Sequence, residues 1–257
     1  MKFIIKKEFK KKPKLKSPIL IEGLPGIGNV GKIAADFIVE SLNAKLMYQI
    51  FFSGFPHSVF ITENGLVELP KVEIYLIKKN KHDFLILSGD IQPINESESY
   101  DFADKIIEIC TELGCKTIVT LGGIGLTPDM KKDRVFMVAT DKKTQKKYKL
   151  LSKNIKIEEN SAATIVGAAG LLLGIGDLNG CNGISLLVET IGDPYHLGLN
   201  EAHKLLSVIE EIFKLGLDLK KFKREIKQIE KKEKAEYSEL MKKLRKMTKE
   251  TDTSYIG

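Results

Sequence analysis

The chain has little of what would place it in several common classes. It holds only three cysteines, Cys110, Cys115 and Cys181, in 257 residues. An odd, scattered set excludes a disulfide framework, and Cys110 and Cys115 in C-x₄-C spacing have no second pair to complete a structural metal site. All three read as reduced, buried thiols of a cytoplasmic protein. Histidine is equally scarce: His57, His82, His196 and His203 are far apart, and no third ligand joins His196 and His203. A metal centre is therefore not expected. No apolar run reaches membrane-spanning length; Ala162 to Ile175 comes nearest and is short and interrupted by glycine. The first residues are charged without a following apolar stretch, so neither a secretory leader nor a membrane partner is expected. No serine stands in a G-x-S-x-G elbow and no cysteine has a nearby base.

Charge is abundant but unevenly placed. The net charge is +7. Residues 1–16 carry eight lysines against one glutamate, and residues 218–250 carry thirteen Lys/Arg against seven acids. The ends thus hold roughly +13 and the intervening body roughly −6. A nucleic-acid binder would carry positive charge on its folded body, so nucleic acid is not the first reading.

Through the body, β-branched apolar runs alternate with helical periods. Strands are expected at 18–21, 47–52, 58–62, 72–78, 84–87, 117–121, 134–140 and 184–189. Helices are expected at 29–42, 97–113, 144–151, 162–173 and 201–215. Strands alternating with helices and ending in glycine-rich loops predict a three-layer α/β/α sandwich. Asn64-Gly65, between two strand-like runs, reads as a hairpin and makes the sheet mixed. After Gly216 the pattern changes. Leu219, Phe222, Ile226 and Ile229 are spaced 3, 4 and 3 apart, and the apolar positions resume at Tyr237, Leu240, Leu244 and Met247. One residue beyond heptad spacing separates the two runs, as in a short coiled coil with a stutter. The domains are therefore 1–215, the α/β/α body, and 216–257, a charged C-terminal helical extension with a flexible end.

The most informative stretch is Gly23 to Lys32. Gly26, Gly28 and Gly31 match G-x-G-x-x-G between a strand and a helix, and Gly31-Lys32 also ends like a phosphate-binding loop. Where that loop needs Ser or Thr for Mg²⁺ the chain has Ile33, and no acid follows the next strand to hold a ribose. Pro25 stiffens the turn. The expectation is that these glycines let the helix pack tightly at a sheet edge, with no cofactor. The alternative is a nucleoside- or nucleotide-binding enzyme of phosphorylase or ligase type, using Gly26, Gly28, Gly31 and Lys32. Glu189, Asp193 and His196 form a second cluster at a strand end, read first as turn chemistry and otherwise as part of such a site.

Glu22-Gly23-Leu24-Pro25-Gly26-Ile27-Gly28-Asn29-Val30-Gly31, taken with Ser88-Gly89-Asp90, Thr120-Leu121-Gly122-Gly123 and Glu189-Thr190, resembles the archaeal proteasome assembly chaperone family over most of residues 15–215. The resemblance implies a phosphorylase/hydrolase-like α/β fold and a non-catalytic homo-oligomer. Its partners would be proteasome α-type subunits, free or as a ring. It also implies that the extension contacts the partner, through Leu219, Phe222, Ile226, Ile229, Tyr237, Leu240, Leu244, Tyr255 and Ile256. Proteasome activators dock through a hydrophobic residue, a tyrosine and one terminal residue. Here the order is Ser254-Tyr255-Ile256-Gly257, so the tyrosine stands one place early and only Tyr255-Ile256 offers an apolar anchor.

Overall fold

The computed structural model describes residues 2–79, 81–129, 134–157, 164–232 and 239. They fall in two compact units, 1–217 and 218–257.

The first unit is built on a nine-stranded sheet. In chain order the strands are β1 (Phe3–Lys7), β2 (Ile19–Glu22), β3 (Lys45–Phe52), β6 (Val72–Ile77), β7 (Phe84–Gly89), β8 (Thr117–Leu126), β9 (Val135–Ala139), β10 (Ile155–Ile157) and β11 (Asn182–Ile191). A separate hairpin comprises β4 (Phe60–Ile61) and β5 (Val67–Glu68). The sheet order is β1-β3-β6-β7-β2-β8-β11-β9-β10. Its middle, β7-β2-β8-β11, is parallel, whereas β1, β3 and β6 add antiparallel on one side and β9 runs antiparallel to β11 on the other. The sheet is mixed, as expected, but for another reason: the Asn64-Gly65 hairpin lies outside it. Gly65 has φ +73°, the left-handed conformation such a turn demands.

Helices cover both faces. They are α1 (Val30–Ser41), α2 (Glu96–Glu112), α3 (Lys142–Lys149), α4 (Ala168–Leu178) and α5 (Leu199–Phe213). α1 packs with α5 on one face and α2 with α4 on the other. Because side chains alternate along a strand, Leu20, Leu85, Leu87 and Ile118 join Phe102, Ile106 and Leu172 in one core under α2 and α4. Ile19, Ile21, Ile86 and Val119 have the opposite parity and are equally buried. Strands buried on both faces are apolar throughout, which is why β2 reads ILIE and β7 FLILSG.

The short β1 and β10 are not legible as strands in the sequence. β1 is lysine-rich and pairs only with β3, an edge position that tolerates exposed charge. β8 and β11 run further than expected, through Gly122-Gly123-Ile124-Gly125 and Glu189-Thr190-Ile191, because each supplies the other's ladder along its whole length. The helix expected at 162–173 begins instead at Ala168, after Gly167 at φ +85°; residues 162 and 163 lie outside the described set. In the second unit, helix 219–232 starts after Asp218, whose Oδ1 accepts the Lys221 N–H at 2.9 Å.

Candidate functional site

Loops after β2, β7, β8 and β11 meet at the carboxyl end of the parallel core, where α/β sheets place their sites. This gathers the glycine turn, Ser88-Gly89-Asp90, the Gly122-Gly123 segment and Glu189-Thr190. β2 is central, so the turn packs over the middle of the sheet and not at its edge, a correction to the sequence reading.

The turn is filled by the protein itself. A Cβ on Gly23 would collide with the Gly31 carbonyl, and one on Gly31 with the Leu121 carbonyl. Gly28 has φ +62°, and its Cβ would stand 2.8 Å from Thr190 Oγ1. A Cβ on Gly123 would lie 2.6 Å from the Ile27 carbonyl oxygen. Gly26 is different: its backbone is extended, and a Cβ would meet only Gln92 Nε2 at 4.0 Å. Three of the turn's amides are also spent internally. Gly23 N–H donates to Leu87 O, Leu24 N–H to Glu22 Oε1, and Asn29 N–H to Gly26 O. A phosphate cradle needs such amides pointing outward. Lys32, which would reach the phosphates, instead donates to Asp36 Oδ2 at 2.6 Å, and Asp36 Oδ1 accepts the Ser88 hydroxyl at 2.5 Å. Gln92 fastens the arrangement from the side. Its Nε2 donates to Pro25 O, and its Oε1 accepts the Ala168 N–H at 2.9 Å.

Beneath the turn runs a polar row that sequence reasoning missed. Glu22, Thr120 and Ser185 are register partners across β2, β8 and β11 and are all buried. Burial pushes the Glu22 carboxyl up to about 8. Its Oε2, Thr120 Oγ1 and Ser185 Oγ have no hydrogen-bond partner among the described residues, nor does Thr190 Oγ1, which lies against Gly28. The signal in the sequence is an acid closing an otherwise apolar strand.

The Glu189–Asp193–His196 cluster does not assemble. Buried Glu189 accepts the Arg134 backbone N–H at 2.9 Å and Nε–H at 2.8 Å, with Nη2 also bound. Asp193 Oδ1 accepts the Tyr195 N–H at 2.8 Å, the expected turn chemistry, and His196 Nε2 lies 3.4 Å from Glu201 Oε1. The three cysteines are free, buried thiols; burial raises Cys115 to about 11 and lifts Cys110 well above the usual thiol range, so neither is a poised thiolate. Among the described residues no group of three His, Cys, Asp or Glu could hold a metal ion, and no helix is long and apolar enough to cross a membrane.

What this end of the sheet presents is apolar surface. Ile27, Ile94, Val166, Tyr195 and Leu197 are exposed on its loops, with Tyr195 at 95%. The β4–β5 hairpin carries a second such surface: Val59, Phe60, Ile61, Leu66, Val67 and Leu69 are all exposed. Contiguous apolar exposure of this kind marks protein contact surfaces.

Of the extension residues, Phe222 and Ile226 are buried, Leu219 is half-buried and Ile229 is exposed. Tyr237, Leu240, Leu244, Tyr255 and Ile256 lie outside the described residues.

Comparison with known proteins agrees with this geometry. Residues 20–236 match the PAC2 family. The Methanocaldococcus jannaschii protein MJ1210 is 32% identical over 224 residues, covering 87% of this chain and 84% of that protein. The crystal structure of Pyrococcus furiosus PbaB, an archaeal proteasome activator, superposes with a TM-score of 0.82 at 33% identity, covering 95% of this chain and 98% of that one. Pyrococcus furiosus PbaA, an archaeal homologue of proteasome-assembly chaperone, shares the fold with a TM-score of 0.79 at 23% identity, over 98% and 99% of the two chains. The chain belongs to the PAC2 family.

Proposed function

We propose that this protein is a non-catalytic, homo-oligomeric partner of the proteasome that binds α-type subunits or their ring. The observation that carries the reading is the end-to-end likeness to PbaB, named as a proteasome activator, at 33% identity. A shared fold alone would not carry function; here the similarity extends over sequence and nearly the whole of both chains. The glycine turn supports it, since the space at Gly23, Gly28 and Gly31 and the amides of Gly23, Leu24 and Asn29 are taken up by the protein's own atoms. The exposed hairpin residues supply an apolar surface suited to self-association.

In this reading residues 1–215 form the oligomerising body and 216–257 the partner-contacting extension, whose apolar positions in sequence are Leu219, Phe222, Ile226, Ile229, Tyr237, Leu240, Leu244, Tyr255 and Ile256. An amphipathic helix laid in a groove uses apolar residues at this spacing, with Lys and Glu on the other faces. The setting is the cytoplasm.

The test is capture of purified α-type proteasome subunits by the full chain and by a truncation after Leu217. Capture by the full chain that weakens at least about tenfold on truncation supports both parts of the reading. Equal capture would remove the extension's role, and capture by neither would remove the proteasome partner.

A further inference from the structure

At the opposite end of the parallel core from the glycine turn, a cavity of about 790 Å³ opens at the amino-terminal ends of β2, β7 and β8. We propose that it binds an acidic peptide segment bearing bulky apolar side chains. The proposal is independent of the proteasome reading.

The cavity has an apolar interior. Phe213 packs edge-on to Phe84 at 5.6 Å between ring centroids and against Tyr148 at 6.0 Å. Phe84 and Tyr148 are buried, while Leu151, 45% exposed, offers apolar surface to an incoming chain. Around this interior stand Lys79, Lys81, Lys116, Lys147 and Lys214, with His82 beside them, and among the described residues no carboxylate lines the cavity.

Lysines near helix carboxyl ends have an ordinary explanation, because they offset the negative end of the helix dipole. That accounts for Lys79, whose Nζ donates to Leu215 O at 2.6 Å beyond the end of α5. Lys147 is occupied too, 4.9 Å from the Tyr148 ring centroid. By position the dipole explanation also reaches Lys214, the C-cap residue of α5, and Lys116, four residues beyond α2, but it does not account for Lys81, and none of the three has a carboxylate partner among the described residues. By contrast, the partly exposed Lys32, Lys71 and Lys105 each pair with an acid, Asp36, Glu68 and Glu108. Five lysines and, among the described residues, no carboxylate thus line one concavity, and a concave, low-dielectric wall focuses their field outward.

The shape selects among anions. The volume is that of a binding cleft, not a single-ion site. Inorganic phosphate would engage the lysines and leave the apolar wall unused. Several separated carboxylates flanking aromatic or aliphatic side chains would use both.

The probe is a fluorescein-labelled peptide of about 12 residues, rich in Asp and Glu and holding two phenylalanines, titrated by anisotropy with the full chain at about 0.1 M salt. Saturable binding is expected, weakened about tenfold or more by Lys81→Glu/Lys116→Glu/Lys214→Glu and similarly by Leu151→Glu. The matched reversal Lys10→Glu/Lys11→Glu/Lys45→Glu, outside the cavity, should change affinity less than about twofold. Circular dichroism of each variant confirms that it is folded. The proposal is overturned by absence of saturable binding, by equal loss in both triple variants, or by equal affinity for a Gln-for-acid peptide. Displacement of the peptide by inorganic phosphate, ATP or duplex DNA at lower concentration than by unlabelled peptide would also overturn it, and would reassign the cavity to phosphate-bearing ligands.

Discussion

The carbonyl oxygen of Gly28 accepts the N–H of Gly198 at 2.8 Å, tying the turn after β2 to the loop after β11. A Cβ on Gly198 would lie 2.5 Å from Val30 Cγ2, so this loop closes directly over the first residue of α1. The glycine turn is thus clamped from above by one loop and from below by β8. Its glycines serve close packing of chain against chain, with the following consequences.

Substitution should separate the three glycines that look alike in the motif. Gly31→Val forces a side chain into the Leu121 carbonyl, and Gly28→Val adds a left-handed backbone strain to a clash with Thr190. Each should cost about 2–4 kcal/mol in urea denaturation. Gly26→Ala meets nothing closer than 4.0 Å and has an extended backbone, so it should cost less than about 0.5 kcal/mol. A phosphate-binding turn would show the reverse priority, with Gly26 sensitive through lost ligand binding.

Glu22 gives the fold a pH dependence of defined sign. Its folded pKa, about 8, lies above the ordinary value of 4.5. Between those values the folded state holds a proton that the unfolded state has released, so the group's contribution is full at low pH and declines as pH rises, by up to about 1.4 kcal/mol per pH unit. Glu22→Gln keeps the side-chain oxygen that accepts the Leu24 N–H and removes the titration. Its stability relative to the parent should therefore improve steadily from pH 5 to about 8 and then level off. A difference that stays flat with pH would show that Glu22 titrates normally.

Arg134 and Glu189 carry a structural role in place of the strand-end chemistry their neighbourhood suggests. Glu189 is buried and accepts from both the backbone and the guanidinium of Arg134. Arg134→Met strands the buried carboxylate and should lower stability by about 1–3 kcal/mol. Glu189→Gln should cost less, because the amide oxygen still accepts. Thermal denaturation of the two variants side by side reads this order.

In the proposed homo-oligomer the β4–β5 hairpin is the expected assembly surface. Ile61 is 77% exposed and Val67 70% exposed, and the two residues are paired across the β4–β5 ladder. Ile61→Lys/Val67→Lys should shift the protein toward monomer in light scattering while leaving its melting temperature within about 2 °C once concentration effects are allowed for. An unchanged mass would remove the hairpin from the proposed self-association.

The sequence alone determined the elements whose burial leaves a periodic trace. β2, β7 and the core of β8 are continuous apolar runs because both of their faces are covered, and α1, α2 and α5 show one apolar stripe each. The strand–turn–helix around Gly23–Gly31 and its kinship were equally legible, since the glycines are demanded by local geometry. Tertiary structure decided the rest, because those facts depend on residues far apart in the chain. Whether the turn cradles a ligand or is plugged depends on Leu121, Thr190 and Gly198 arriving from other strands and loops. Whether Glu189 faces His196 or Arg134 depends on β9 lying antiparallel beside β11. The lysine-rimmed cavity joins residues from positions 15 to 214, a convergence that chain topology creates and no local pattern records.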